Sequence, residues 1–327
     1  MFLFLSSPLL SFQKGMALGL YSKNPHYAYQ KELEEIQALG ATHVSLIVAW
    51  YQKDSTSNKI YPLYPERGAY GDFDTTPDSK IIDTIQRAHH LGLKVFLFPI
   101  LRLEERKDKE WRGNIKPSRK NIWLKSYQKF IGHYTKLASV NQVDLLAVGS
   151  ELCSMESETL FWKKLIKNIR SHYQGQLLYS ANWDHFKTIN FWEDLDYLGL
   201  NGYYEVAPSP TATASEINEK WMTVETDVQE WQSKHQNKKL IFTEIGYPSI
   251  DGGCEKPWDY TRTTPVDLDE QALCYQSFFE TWVQNKNFAG VYFWNWYGQG
   301  GPNDRTYTPR GKPAEKVLTE WYRNITK

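Results

Sequence analysis

Two glutamates stand where runs of apolar residues stop. Leu240, Ile241 and Phe242 read as strand buried on both faces, yet the run reaches Glu244, with Gly246 and Pro248 close behind. Glu151 closes the run that begins at Asp144 in the same way. Glutamate is almost never fully buried unless paired, so an acid at the tip of a core strand is either salt-bridged scaffold or a reacting group. Two acids facing one another can cleave a glycosidic bond: one protonates the leaving oxygen and the other attacks the sugar, at a carboxyl separation of about 5–5.5 Å for retention. The acid needs surroundings that raise its pKa; the nucleophile needs hydrogen-bond donors that keep it ionised. Arg102 and Tyr203, at the ends of other apolar runs, are candidate donors to Glu244.

The elements that must hold these acids repeat. Strand candidates run over Gly15–Tyr21, His43–Trp50, Lys94–Leu101, Asp144–Glu151, Gln176–Asn182, Tyr197–Tyr203, Lys239–Tyr247 and Gly290–Trp296. Helical periodicity fills the gaps at Tyr27–Leu39, Ser79–Leu91, Arg119–Ser139, Glu156–His172, Ser215–His235, Asp269–Asn285 and Pro313–Ile325, with a short helix expected near Thr188–Asp194. Gly40, Gly92 and Gly290 sit where helices would end. Eight strand-then-helix units predict one α/β domain, a single (β/α)8 TIM barrel over residues 14–327. A doubly wound sheet would show a Gly-rich turn after its first strand, and SKNPHY after Tyr21 has none. The long connections all follow strands, on the face where barrels build active sites, and the tips of strands four and seven lie across that mouth from one another.

Composition narrows the partner. Lys plus Arg and Asp plus Glu both total 38, which leaves no positive excess to attract nucleic acid or an anionic membrane. The aromatic share is 15%, with 13 Trp and 21 Tyr, more than a core needs and suited to clefts that take flat apolar faces such as sugar rings. Cys153, Cys254 and Cys274 form no CxxC pair; Cys254 with Cys274 reads equally as a bridge or as free thiols. No HExxH occurs, and adjacent His89 and His90 point to different sides of a helix, so neither metal nor cofactor is expected. Residues 1–13 resemble the apolar part of an export signal, without a basic start or an A-x-A site. A secreted or periplasmic location is the expectation, and a cytoplasmic protein with an N-terminal extension the alternative.

VGSELCSME around Glu151, FTEIGYPS around Glu244 and GVYFWNW at the eighth strand resemble the family 113 glycoside hydrolases, β-mannanases of a large clan of retaining (β/α)8 enzymes. The likeness runs from about Gly15 to Trp321. It implies Glu151 as acid/base, Glu244 as nucleophile, Trp294 as the floor under the sugar at the cleavage point, and Tyr203 as a hydrogen-bond donor to the nucleophile. The wider clan carries Asn before the acid/base to hold the sugar 2-hydroxyl; this chain has Ser150, and Asn182 is the candidate to take over that contact. Trp183, Trp294 and Trp296 are the favoured stacking platforms, with Trp50, Tyr51, Trp111 and Trp258 open between stacking and packing. Glu104–Lys107 reads as a solvated charge run, GQGGP from Gly298 as a flexible lip, and Asp304 with Arg305 as groups within reach of substrate. The reading is thus a monomeric retaining β-glycoside hydrolase on mannan or manno-oligosaccharides. A non-catalytic carbohydrate-binding barrel, another β-glycan and an exo-acting glycosidase remain as alternatives.

Overall fold

The structure, a computed structural model, describes residues 12–20, 22, 24, 26–64, 75–235 and 238–326. Most of the expected leader, and Tyr21 at the end of the first strand candidate, lie outside these residues. The strands are β1 (Gln13–Gly19), β2 (His43–Gln52), β3 (Lys94–Leu103), β4 (Leu145–Ser150), β5 (Gln176–Asn182), β6 (Tyr197–Asn201), β7 (Lys239–Ile245) and β8 (Phe288–Phe293). All eight are parallel and close in sequence order, β8 returning to β1, into the expected (β/α)8 barrel. The helices are α1 (Gln30–Ala38), α2 (Asp78–His90), α3 (Lys120–Val140), α4 (Thr159–Arg170), α5 (Ala214–Gln232), α6 (Leu268–Trp282) and α7 (Pro313–Asn324).

Alternation along each strand sorts the core into two layers. Ala17, Ile47, Phe96, Phe98, Leu178, Ile241 and Tyr292 fill the barrel, while Leu18, Leu46, Leu97, Tyr179 and Phe242 point out into the layer shared with the helices. That is why the strands read as continuous apolar runs. Two expectations differ. The short helix near Thr188–Asp194 is instead two 3-10 turns, Phe186–Thr188 and Trp192–Asp194, because neighbours Phe191 and Trp192 both pack on Tyr179. Gly290 lies inside β8 rather than at a helix end, and a Cβ there would come within 2.5 Å of Gln13 Cβ across the seam.

That seam joins the two ends of the described chain. Gln13 pairs with Gly290, the Tyr322 hydroxyl donates to Gly15 O at 2.6 Å, and Glu35 of α1 accepts from Trp296 Nε1 at 2.9 Å and from Arg310 at 2.6 Å.

Candidate active site

Simple alternation would not bring both glutamates to the mouth. In β7, Ile241 faces the barrel interior and Phe242 the helices, so the next residues should go in, then out. Register slips against β6 between Leu200 and Asn201 and against β8 between Phe242 and Ile245, so that Thr243 and Glu244 both face inward. β4 slips against β5 between Ala147 and Ser150, directly before Glu151. A bulge re-aims the side chain that follows it, and here each acid-bearing strand has one just ahead of its acid. Glu151 itself has φ 51°, a left-handed backbone that non-glycine residues seldom adopt. Its N–H donates to Ser180 O at 2.9 Å. Gly246 completes the β7 tip: a Cβ there would meet Trp294 O at 2.5 Å.

The two carboxyls are 7% and 5% exposed for Glu151 and Glu244. Arg112 donates through Nη2 to Glu151 Oε2, and the Tyr203 hydroxyl donates to Glu244 Oε2 at 3.1 Å. Burial first, and the charge of Glu151 second, push the Glu244 pKa up to about 8, against the pull of Arg112 and the Tyr203 bond. The Arg112 pKa is raised too: burial works against its charge, and Glu151 and Glu244 outweigh it. The Arg112 guanidinium thus lies in the field of both carboxyls. The sequence expectation assigned the raised pKa to Glu151 as the acid. In the free site Arg112 sits on Glu151 and Glu244 carries the raised pKa, because the cation comes from the loop after β3 and binds the β4 acid.

The other expected site residues fall into two groups. Arg102, near the end of β3 and in register with Tyr51, has the interior-facing parity of Phe98 and Ile100, and the guanidinium of Arg112, in a 3-10 turn over Arg112–Asn114, is bonded to Glu151. Trp294 is half-buried against the interior layer beside Gly246, at the level of the carboxyls. Trp183 is half-buried and leans on Tyr204 at 5.3 Å between ring centroids. Asn182 ends β5 with its Nδ2 donating to Asp184 Oδ1 at 2.7 Å. Ser150 is buried, and its hydroxyl is left without a partner.

Trp296 is a correction: it is 1% exposed, packs in the outer core and donates to Glu35, so it offers no face to a sugar. Asp304 and Arg305 are bonded within the fold, Asp304 accepting from Lys312 at 2.9 Å and the exposed Arg305 donating to Thr264 O. The GQGGP stretch is a pinned turn rather than a loose lip, with Gly298 O and Gly301 N both bonded to Arg310. Trp50 packs on Phe130, His133 and Tyr134, whereas Trp258 is 46% exposed and donates to Glu205 at 3.1 Å. The charge run is engaged: Tyr61 bonds Glu104, Glu105 lies 3.7 Å from Lys53, and Arg106 Nη2 donates to the Tyr260 hydroxyl at 2.7 Å.

Sequence reasoning passed over Arg112 and the polar triangle beneath the acids. Ser180 and Thr243 hydroxyls both bond Asn201 Oδ1, at 2.6 and 2.9 Å, and lie 2.6 Å from each other. Inward-facing polar residues near the ends of three consecutive strands are the signal that could have found it. Elsewhere the carboxyl oxygens of Asp251, Asp267 and Glu270 lie within 4.8 Å of one another. Glu270 already accepts the N–H groups of Gly252 and Cys254, and Asp267 caps α6, so the cluster is explained by the fold of its loop. The same loop is joined to α6 by a disulfide between Cys254 and Cys274.

The Glycoside Hydrolase Family 113 profile matches residues 12–312. The chain belongs to glycoside hydrolase family 113. This family 113 chain is therefore a glycoside hydrolase, and its mouth of carboxyls is the place to look for the reaction. A GH113 β-mannanase from Alicyclobacillus acidocaldarius, solved in complex with ManMIm, is 26% identical, with a TM-score of 0.84 and coverage of 97% of this chain and 99% of that one. A GH113 β-1,4-mannanase structure is 26% identical at a TM-score of 0.82, covering 96% and 99% of the respective chains. A family 5 mannosidase from Rhizomucor miehei, at 14% identity and a TM-score of 0.57 over 96% of this chain and 93% of that one, shares the fold. No curated protein matches the sequence.

Proposed function

We propose that this family 113 enzyme is a retaining β-1,4-mannanase, with Glu151 as acid/base and Glu244 as nucleophile. The observation that carries the reading is the pair of buried carboxyls at the tips of β4 and β7, each within the other's field and served by Arg112 and Tyr203. The family 113 relatives described as β-mannanases supply the sugar. In the first step Glu244 Oε attacks the anomeric carbon, and the C–O bond to the leaving sugar breaks as Glu151 gives that oxygen its proton. In the second, Glu151 takes a proton from water, whose oxygen displaces Glu244 and restores the β configuration. The reactive form has the proton on Glu151 and the charge on Glu244, stabilised by Tyr203.

A specific observation favours restricted over fully endo cleavage. The Arg106–Tyr260 hydrogen bond joins the loops after β3 and β7, strands on opposite walls of an eight-stranded barrel. A screen of β-glycans with product sizing and anomer-resolved NMR tests all of this. Release of β-anomeric manno-oligosaccharides from mannan is the expected result; α-anomeric products, or turnover confined to another glycan, would overturn it. We also place the enzyme in an oxidising compartment, on the Cys254–Cys274 disulfide; thiol titration of the unfolded, unreduced protein should find Cys153 alone.

A further inference from the structure

One buried carboxyl behind β4 has no part in the chemistry just described. Glu156 is 2% exposed; its Oε1 accepts from the Tyr179 hydroxyl at 2.8 Å, and its Oε2 has no partner. The same Tyr179 hydroxyl accepts the Leu152 N–H at 2.9 Å. That N–H belongs to the peptide leaving Glu151, the residue held in the left-handed region. The Tyr179 ring is itself fully buried and closely packed. It meets Trp162 edge-on at 5.3 Å, and a Cβ at Gly149 would come within 2.8 Å of its Cε2. Trp162 Nε1 in turn donates to Met155 O at 2.9 Å, which pins the segment between the two glutamates.

A phenol has one proton to give. Donating it to Glu156 leaves the oxygen lone pairs for Leu152 N–H, so the carboxyl fixes which way the hydroxyl points. We infer that Glu156 and Tyr179 are positioning residues for Glu151, holding the peptide that aims its carboxyl across the mouth. Burial raises the Glu156 pKa to about 7, opposed by the Tyr179 bond and by His185. Both its protonated and ionised forms keep an oxygen that accepts from Tyr179, so the hold survives titration.

The inference rests on the acid/base role proposed for Glu151, and its test separates the two. Aryl β-glycosides of the sugar selected by the screen would be compared, one with a phenol-like leaving group and one with 2,4-dinitrophenyl, which departs without help from an acid. Tyr179→Phe and Glu156→Met should lower kcat/KM on the poor leaving group about 10- to 100-fold, and on the activated one by less than about threefold. Glu156→Gln, which keeps an acceptor oxygen, should stay near parental on both. Equal losses on the two substrates, or no loss on either, in variants with parental circular dichroism and melting would overturn the inference. Glu151→Ala is the reference: if it shows no discrimination between leaving groups, the acid/base reading fails, whereas discrimination by Glu151→Ala without it in the other variants sinks only the positioning role. Should Tyr179→Phe not fold, the contrast between Glu156→Gln and Glu156→Met decides.

Discussion

The two ends of the barrel hold their polar groups differently. At the N-terminal end a cavity of about 540 Å³ is lined by residues that include Gln13, His43, Lys94, Asp144 and Tyr197. Several of its polar groups are engaged by the surrounding fold: Gln13 accepts from Tyr292 at 2.7 Å, His43 Nδ1 lies 2.7 Å from the Thr42 hydroxyl, and Asp144 accepts the Val95 N–H at 2.9 Å. At the C-terminal end two buried acids repel one another in the field of the Arg112 guanidinium. Two like charges buried within each other's field belong to the C-terminal end. An arrangement that keeps like charges close in a dry place costs stability, and a chain keeps it only for what it does.

Substitutions at the C-terminal mouth should break that contrast hardest. Glu244→Ala should cut kcat by about 10⁴-fold or more, measured on mannan or an activated aryl mannoside. Parental turnover would show that the nucleophile lies elsewhere. Tyr203→Phe removes a hydrogen bond to a charged group, about 1.5–3 kcal/mol, and should slow turnover roughly 10- to 150-fold. Arg112→Leu should move the limb of the kcat/KM pH profile that Glu244 sets to higher pH, because removing the cation disfavours its ionised form. A profile that stays put would detach Arg112 from the pair. Lys94→Ala, at the N-terminal mouth, should change activity by less than about twofold.

Stability against pH sharpens the comparison, because the two mouths should respond with opposite sign. The folded pKa of Glu244, about 8, lies above its unfolded value of 4.5, so its contribution is present below pH 4.5 and lost as pH rises toward 8. Glu244→Gln should therefore melt above the parent by a margin that widens from pH 5 to 8. For His43, burial and then Lys94 hold the folded pKa near 3 against 6.5 unfolded. The unfolded chain takes up a proton there that the native state refuses, so stability falls as pH drops from 6.5 toward 3. His43→Gln should flatten that acid limb in thermal melts while leaving turnover at neutral pH near parental.

How much of this was legible follows from how each residue is held. The barrel could be read because strands covered on both faces leave unbroken apolar runs, and Glu244 because a charge ends one of them. Trp296 misled because its sequence position, two residues past Trp294, does not show that its indole turns outward to Glu35. Arg112 was hidden because only the folded course of the loop after β3 carries it back to β4. The register slips before Glu151 and Glu244 leave no mark in residue type, since a bulge is a property of two strands together.

The seam between β1 and β8 has a consequence for how the enzyme comes into being. β8 (Phe288–Phe293) pairs with β1 (Gln13–Gly19), so the ring cannot shut until synthesis has passed β8. Until then β1 is an open edge, with unpaired N–H and C=O groups facing whatever strand is near. The acids on β4 and β7 are synthesised early and late, and their opposition across the mouth begins only when the last strand closes against the first.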